Sequence, residues 1–308
     1  MNIDREAVRW AYRLFLNREP ENEATLDALA AQVSGYEELK GVFLGCDEYR
    51  EKNPGLLSGF EPPLQVEWSL SERDQELLFN HVQSTWERLG REEPHWSVLT
   101  AEKYKQANIR QFSEDFFASG EADVERLLRT LERCGLNLLK FKSCLELGCG
   151  LGRVTCWLEK RFERVVAVDI SNEHLAYAAE YVKSSKVAFL HLQSMAQMKT
   201  LPKADVVYSV IVLQHNPPPV IAVLLRDLLA ALNPGGVAFF QVPTYFNGYS
   251  FNVKRYKKQE LAAQAMEMHL LPQKQVFEII AQSGAAVLEV LQDDKTFGLS
   301  NTFLVQKA

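Results

Sequence analysis

Apolar positions recur at helical spacing through residues 1–51. Trp10 and Leu14 share a helix face, and Leu26, Leu29, Ala30 and Val33 follow the i, i+3, i+4, i+7 rule, as do Leu39, Val42, Phe43 and Cys46. This pattern predicts a small helical module. About 50 residues bury little area, so the module is expected to dock on the rest of the chain or on a partner. The segment KNPGLLSGFEPPLQVEW, residues 52–68, breaks the pattern with prolines and glycines and predicts an irregular linker.

Residues 69–137 return to helical spacing. Ser71 and Asp74 match a capping box, and Leu78, Val82 and Leu89 face one way until Pro94 ends the run. Val124, Leu127, Leu128 and Leu131 form the stripe of a further helix that stops near Gly135.

From residue 138 onward the period changes. SCLELG, RVVAVD, KVAFLH, ADVVYSV and GGVAFFQVP are continuous apolar runs, with helical patterns near 151–162, 171–184, 218–232 and 273–283. Continuous apolar strands alternating with helices predict a doubly wound α/β sheet covered on both faces. AAVLEVLQDD and SNTFLVQK close the chain with no helix between them, which requires an antiparallel pair at the sheet edge.

Composition narrows the classes. The chain has 308 residues, 47% hydrophobic and 24% charged, with a net charge of −6. One large domain with a smaller one is the expectation. The acidic balance argues against wholesale nucleic-acid binding, which needs cationic surface. No stretch approaches the ~20 apolar residues of a membrane span. The N-terminus MNIDREAVRW starts charged and lacks a signal-peptide core, so a cytoplasmic location is expected. The five cysteines form no CxxC, and the histidines show no metal-ligand spacing with them. No metal is expected.

The chemistry concentrates in ELGCGLGRVT, Glu146 to Thr155, which joins an apolar strand to a helix through Gly148, Gly150 and Gly152. Asp169 closes the next apolar run. This layout predicts an adenosine-bearing cofactor at the end of a parallel sheet. The third glycine comes one residue too early for a dinucleotide fingerprint, and there is no Walker lysine. Glu146 would repel a phosphate and would suit a cation. S-adenosylmethionine carries a sulfonium and an ammonium but no phosphate. Asp169 has two oxygens with which to accept both ribose hydroxyls.

ELGCGLGRVT with AVDIS resembles motif I and the acidic strand end of class I S-adenosylmethionine-dependent methyltransferases. LQSMAQMKTLPKADVVYSVIVLQHNPP, LNPGGVAFFQVP and the final strand pair resemble that family's later segments in order, so the likeness covers about 138–308. It implies a Rossmann-like seven-stranded sheet whose last strand is antiparallel. It also implies that Gly148, Cys149 and Gly150 line the methionine part of the cofactor and Asp169 holds the ribose. Ile170 would pack on the adenine, and Ser194 and Met195 would lie at its edge. Glu146 and Val210 complete the expected cofactor set. Many relatives carry Asp or Asn where this chain has Gln193-Ser194-Met195.

An alcohol acceptor must lose its proton, so a base within reach is useful. His215, in VLQHNPP just past the fourth strand, is the expected catalytic residue. Asn216-Pro217-Pro218 lacks the aromatic of an amide N-methyltransferase signature and reads as a helix entry. Two segments are expected to cover the site. HWSVLTAEKYKQANIRQFSEDFFASGE, 95–121, resembles the pre-core segment of methyltransferases from bacterial polysaccharide clusters. Residues 244–272 are too long for a strand-to-helix link and are expected to form a lid. Tyr104, Phe117, Tyr245 and Tyr249 are the candidate substrate contacts, and Asp293-Asp294 reads as solvated surface.

AYRLFLNREPENEATLDALAAQVSGYEELKGVFLGCDEYR resembles a short DUF4214-type helical domain, without the Gly-x-x-x-Trp that its relatives often carry. The likeness turns the expected substrate toward glycans, or makes the module a docking site for a protein partner. The combined expectation is a cytoplasmic O-methyltransferase for a sugar hydroxyl of a bacterial surface polysaccharide, such as an O-antigen, or its precursor. A methyltransferase for a lipid, quinone or secondary metabolite and a non-catalytic adaptor are the alternatives.

Overall fold

The computed structural model describes residues 3–52, 63–259, 265–293, 295–296 and 298–308. Residues 53–62 of the expected linker, 260–264 of the expected lid, and Asp294 lie outside the described residues. The chain divides into two units, Met1–Pro62 and Pro63–Ala308.

The first unit contains α1 (Arg5–Leu16), α2 (Glu23–Gln32), α3 (Tyr36–Gly45) and α4 (Asp47–Lys52). Asp4 caps α1, its Oδ1 accepting from the Ala7 N–H at 2.8 Å. Asn17 ends that helix in the left-handed region at φ 50°, which a short amide side chain tolerates. Val8, Tyr12, Leu16, Leu26, Val33, Leu39 and Phe43 form a core of their own. Trp10 and Leu14 share a face of α1, as their spacing requires. Both side chains are exposed, at 51% and 73%, and α1 instead buries Val8, Ala11 and Tyr12. Residues i and i+4 share a face in either case; spacing alone does not say which face is covered.

The second unit opens with β1 (Gln65–Val66), α5 (Glu72–Glu92), α6 (Pro94–Val98), α7 (Ser113–Ala118) and α8 (Gly120–Arg133). β1 is a short strand where the sequence suggested irregular chain. Ser71 caps α5 as its spacing predicted, accepting from the Asp74 N–H at 3.2 Å. The core follows with β2 (Ser143–Leu147), α9 (Thr155–Leu158), β3 (Arg164–Asp169), α10 (Asn172–Tyr181), β4 (Val187–His191), α11 (Met195–Met198) and β5 (Ala204–Ser209). It ends with α12 (Pro218–Ala230), β6 (Leu232–Tyr245), β7 (Ser250–Phe251), α13 (Val253–Gln259), α14 (Gln273–Gln282), β8 (Ala285–Asp293) and β9 (Leu299–Lys307). Proline at the start of α12 agrees with the helix entry read from NPPP. Among the described residues, no helix is long and apolar enough to cross a membrane.

Seven strands form one sheet in the order β4-β3-β2-β5-β6-β9-β8. The pairs from β4 to β6 are parallel, and β9 runs antiparallel to both β6 and β8. β1 pairs in parallel with β7 as a separate two-stranded piece.

Alternation along β6 explains the two covered faces. Ala238, Phe240 and Val242 pack toward the core that contains α12 and α14 residues, with Phe240 stacked on Phe303 at 5.1 Å. Val237 and Phe239 point to the opposite core, with residues of α8, and Phe239 stacks on Tyr208 at 5.8 Å. The strand order reverses between β2 and β5, the neighbours β3 and β6 lying on opposite sides. Such a switch point opens a crevice at the carboxyl ends of the strands.

Phe303→Ala removes a fully buried ring from the stack with Phe240. The expected loss is about 3–5 kcal/mol of unfolding free energy, read from denaturant melts. A midpoint equal to that of the parent would show that β9 is not part of the cooperative core.

Candidate functional site

The loop after β2 needs glycine for a steric reason. Gly148, Gly150 and Gly152 have φ of 75°, 52° and 79°. A Cβ on Gly148 would lie 2.3 Å from Val212 Cγ2, and one on Gly152 would lie 2.9 Å from Val182 Cγ2. The turn brings the Gly148 and Cys149 N–H groups onto the Val168 carbonyl at 2.7 and 3.1 Å. The Gly150 N–H donates to Asp169 Oδ2 at 2.8 Å, and the Ser171 N–H to Asp169 Oδ1 at 2.9 Å. Each Asp169 oxygen therefore keeps a second acceptor direction.

Glu146 is only 2% exposed within β2. Its Oε2 accepts from Thr155 Oγ1 at 2.6 Å. Burial pushes its carboxyl up to about 7, against the lowering effects of Thr155 and of Arg153. Arg153 is itself buried, donating to Asp123 Oδ2 at 2.6 Å and to Ser119 Oγ at 3.2 Å. Lys295 Nζ takes the other Asp123 oxygen at 3.0 Å.

The glycine loop, Glu146, Asp169 and Arg153 border one cleft of about 950 Å³, counted with the open solvent at its mouth. Glu146, Gly148, Cys149, Gly150, Asp169, Ile170, Val210 and His215 line it. Phe79 and Trp86 of α5 and Ser97 and Val98 at the end of α6 complete the wall.

His215 sits on a short turn after β5. Its Nδ1 lies 2.9 Å from the Glu267 carbonyl oxygen, which can only accept, so Nδ1 carries the proton. The Gln214 amide nitrogen lies 3.2 Å from Nε2, which fits Nε2 as the acceptor atom. Trp86 meets the ring edge-on at 5.1 Å. Burial pushes the imidazole down to about 4, so the ring is neutral at pH 7. Ile211, also on the cleft, holds φ 59°, a strained value for a β-branched residue. The buried Gln241 amide fixes it there, accepting the Ile211 N–H at 2.9 Å.

Several expected contacts lie elsewhere. Tyr104 and Phe117 pack with Ile109, Phe116 and Leu151 into a small core behind the wall, and Phe117 stacks on Tyr181. Their segment reaches the cleft through Ser97 and Val98 instead. Ser194 and Met195 are also off the cleft. α5 closes that edge: Glu76 accepts the Met195 N–H at 3.2 Å, and the Gln83 amide donates to the Ile170 and Leu192 carbonyls at 3.0 and 3.1 Å. Tyr245 ends β6 away from the cleft lining. Tyr249 binds His269 Nδ1 through its hydroxyl at 2.8 Å and lines a neighbouring hollow with Phe251, Arg255 and Tyr256. Among the described residues, no group of three or more His, Cys, Asp or Glu stands where it would hold a metal.

The sheet of this order, with a glycine loop and an acid at adjacent strand ends, is a fold shared with solved methyltransferases. Residues 144–236 match the family described as "Methyltransferase domain". Magnesium protoporphyrin IX methyltransferase of Synechocystis PCC 6803, solved with bound S-adenosylhomocysteine, superposes with a TM-score of 0.53 at 18% identity, covering 74% of this chain and 99% of that one. The same enzyme with bound S-adenosylmethionine gives 0.51, covering 79% and 100%. In sequence, 101 residues are 33% identical to carboxy-S-adenosyl-L-methionine synthase of Trichlorobacter lovleyi, spanning 30% of this chain and 41% of that protein. A further 34% identity over 113 residues links the chain to trans-aconitate 2-methyltransferase of Azoarcus sp., spanning 36% and 43%. The chain thus spans less than half the length of these curated relatives, and the methyltransferase likeness falls in the core of its second unit.

Gly148→Ala is expected to cost about 1–3 kcal/mol of stability through its φ and the collision with Val212. Adding Val212→Ala should restore part of the loss and leave the backbone part, as read from paired thermal melts. Full recovery would show that φ 75° carries no cost here.

Proposed function

We propose that the chain is an S-adenosylmethionine-dependent O-methyltransferase whose acceptor is a sugar hydroxyl of a bacterial surface polysaccharide or its precursor. The observation that carries the transferase reading is the cleft itself. It joins a buried carboxylate, a ribose-ready carboxylate and a neutral imidazole within one enclosed wall.

The residues fit the donor by their chemistry. Glu146 faces the cleft as a buried carboxyl suited to a cation. Asp169 keeps two acceptor directions for a diol. Ile170, Leu192 and Phe79 offer an apolar slot for a base. The positive-φ glycines bring the backbone close where any Cβ would collide. When bound, S-adenosylmethionine supplies a methyl group on a sulfonium, a leaving group that is already activated. The chain's own tasks are then alignment and exclusion of water. His215 Nε2 would accept the hydroxyl proton as the acceptor oxygen bonds to the methyl carbon and the sulfur keeps the electron pair. Burial keeps that nitrogen unprotonated and ready.

The sugar reading rests on two further features. Trp86 beside His215 offers a ring on which a sugar can stack. Tyr249, half-buried on the adjoining segment, adds a second aromatic ring beside a small hollow. The N-terminal module, with its likeness to a domain that accompanies glycan enzymes, supports the same direction and would serve as a docking site for a partner. A cytoplasmic setting, where such precursors are assembled, belongs to this proposal.

Labelled donor with lipid-linked and nucleotide-linked sugars tests the acceptor. Methyl transfer only to amines or to proteins would sink the sugar reading. His215→Ala is expected to lower turnover by about 10²–10⁴-fold with donor affinity kept. Unchanged turnover would remove the base role.

Donor binding should also depend on pH. Glu146, raised to about 7, binds a cation only when ionised. Its ionised fraction rises roughly tenfold from pH 6 to pH 8, so affinity should rise by about that factor, with proton release. Calorimetry in buffers of different ionisation enthalpy reads both effects. Glu146→Gln should flatten the profile; a profile that persists would place the titrating group elsewhere.

A further inference from the structure

Behind His215 lies a second constellation that no local sequence pattern announces. Glu267 stands in an extended stretch between α13 and α14. Its carboxylate receives three donors: His81 Nε2 at 3.1 Å to Oε1, and His269 Nε2 at 2.7 Å and the Tyr256 hydroxyl at 2.9 Å to Oε2. These come from α5, from the stretch itself and from α13. His269 must carry its proton on Nε2, since the carboxylate accepts, and its Nδ1 then accepts from the Tyr249 hydroxyl at 2.8 Å. Burial alone would raise the Glu267 carboxyl, but the bonds from His269, His81 and Tyr256 outweigh it and hold the group ionised.

The same residue presents its backbone carbonyl to His215 Nδ1 at 2.9 Å. The stretch is registered against the turn that bears His215, because the His269 N–H donates to the Gln214 carbonyl at 2.6 Å. It is registered against β6 as well, through the Leu271 N–H and the Pro243 carbonyl at 3.1 Å. The imidazole of His215 has no other acceptor for its Nδ1 proton among the described residues. The ring's tautomer is set by the Glu267 carbonyl at Nδ1 together with the Gln214 amide at Nε2, and three side-chain donors fix where that carbonyl sits.

We propose that Glu267 is a positioning residue for His215. Its carboxylate, clamped by His81, His269 and Tyr256, holds its own carbonyl so that His215 keeps the Nδ1–H tautomer and offers Nε2 as the basic atom of the cleft. This rests on the base role given to His215, and it assigns a function to the segment between α13 and α14. That segment orients the base, whether or not it also touches the acceptor. A base held in the wrong tautomer presents an N–H to the acceptor hydroxyl and cannot take its proton.

The test is ring nitrogen NMR of the full ¹⁵N-labelled chain, with the His215 signals assigned by their loss in His215→Gln. The parent should show His215 Nδ1 protonated and Nε2 bare at pH 7. Glu267→Met keeps much of the volume but offers no carboxylate oxygen to any of the three donors, so the clamp must open. His215 should then shift toward the Nε2–H form, and Glu267→Ala should do the same. Turnover with a working acceptor should fall about tenfold or more in both variants, with donor affinity unchanged. A parent that shows the Nε2–H form, or folded variants that keep the parent tautomer and turnover, would overturn the clamp. If Glu267→Ala fails to fold, Glu267→Met alone decides the point. The tautomer needs no acceptor to be measured. A chain that moves no methyl group yet shows the shift would refute the proposed reaction and leave the clamp standing.

Discussion

The carboxylate of Asp169 is the contact on which the cleft depends. It accepts the Gly150 and Ser171 N–H groups, one on each oxygen, and so binds the loop after β2 to the loop after β3. Those two loops flank the point where the strand order reverses. A buried carboxylate is costly unless donors surround it, and here the backbone supplies them. The three left-handed glycines follow from that contact. Only a loop without Cβ atoms at 148 and 152 clears Val212 and Val182 while laying its N–H groups on Asp169 and on the Val168 carbonyl. The same bonds leave one acceptor direction on each Asp169 oxygen, so the anchor of the loop and the polar group offered to a ligand are one side chain.

Charge behind the loop stiffens it further. Asp123 is shared between Arg153, on the loop, and Lys295, near the hairpin of β8 and β9. Burial opposes the ionised form of Asp123, and the two cations restore it, so its carboxyl lies below its ordinary value. Removing Asp123 would leave both cations without their carboxylate, which costs more than the cluster contributes when whole. On the opposite wall, Gln241 spans from the strained Ile211 N–H to Ser300 Oγ at 2.7 Å. Both walls are thus set by bonds within the chain. A ligand meets a formed cleft and is not asked to order it.

Much of this was legible in the sequence, for identifiable reasons. Strands buried on both faces are continuous apolar runs, and the sheet forces them to be so. The glycine loop and Asp169 lie within one strand-helix-strand unit, so spacing alone placed them together. His215 followed from its position just past β5. What the sequence hid came from distant segments. Phe79 and Trp86 share the apolar side of α5 with Leu78 and Val82, and periodicity reports that a face is buried without saying whether protein or a ligand slot covers it. The aromatic density of 95–121 marked burial correctly but not its partner: Tyr104 and Phe117 fill a core, while the plainer Ser97 and Val98 reach the cleft. Ser194 and Met195 were placed by likeness, and α5 occupies the edge they were meant to line.

The two ends of the cleft are therefore built by different rules. The end at Gly148–Asp169 is made mostly of backbone, turned by glycines and tied within about twenty residues. Few sequences satisfy that geometry, which is why it survives as a recognisable motif and why a family likeness over 144–236 is detectable at all. The end at His215 is made of side chains from α5, the turn after β5, and the stretch holding Glu267, up to 186 residues apart along the chain. Each contact there is one of several ways to orient a ring, so no short motif records it. A cleft of this kind can keep its donor chemistry fixed while the acceptor wall changes freely. Solved proteins with this fold are named for unrelated substrates, and in this chain the features that set the cleft's second end apart are Trp86, His215 and the Glu267 network, not the glycine loop.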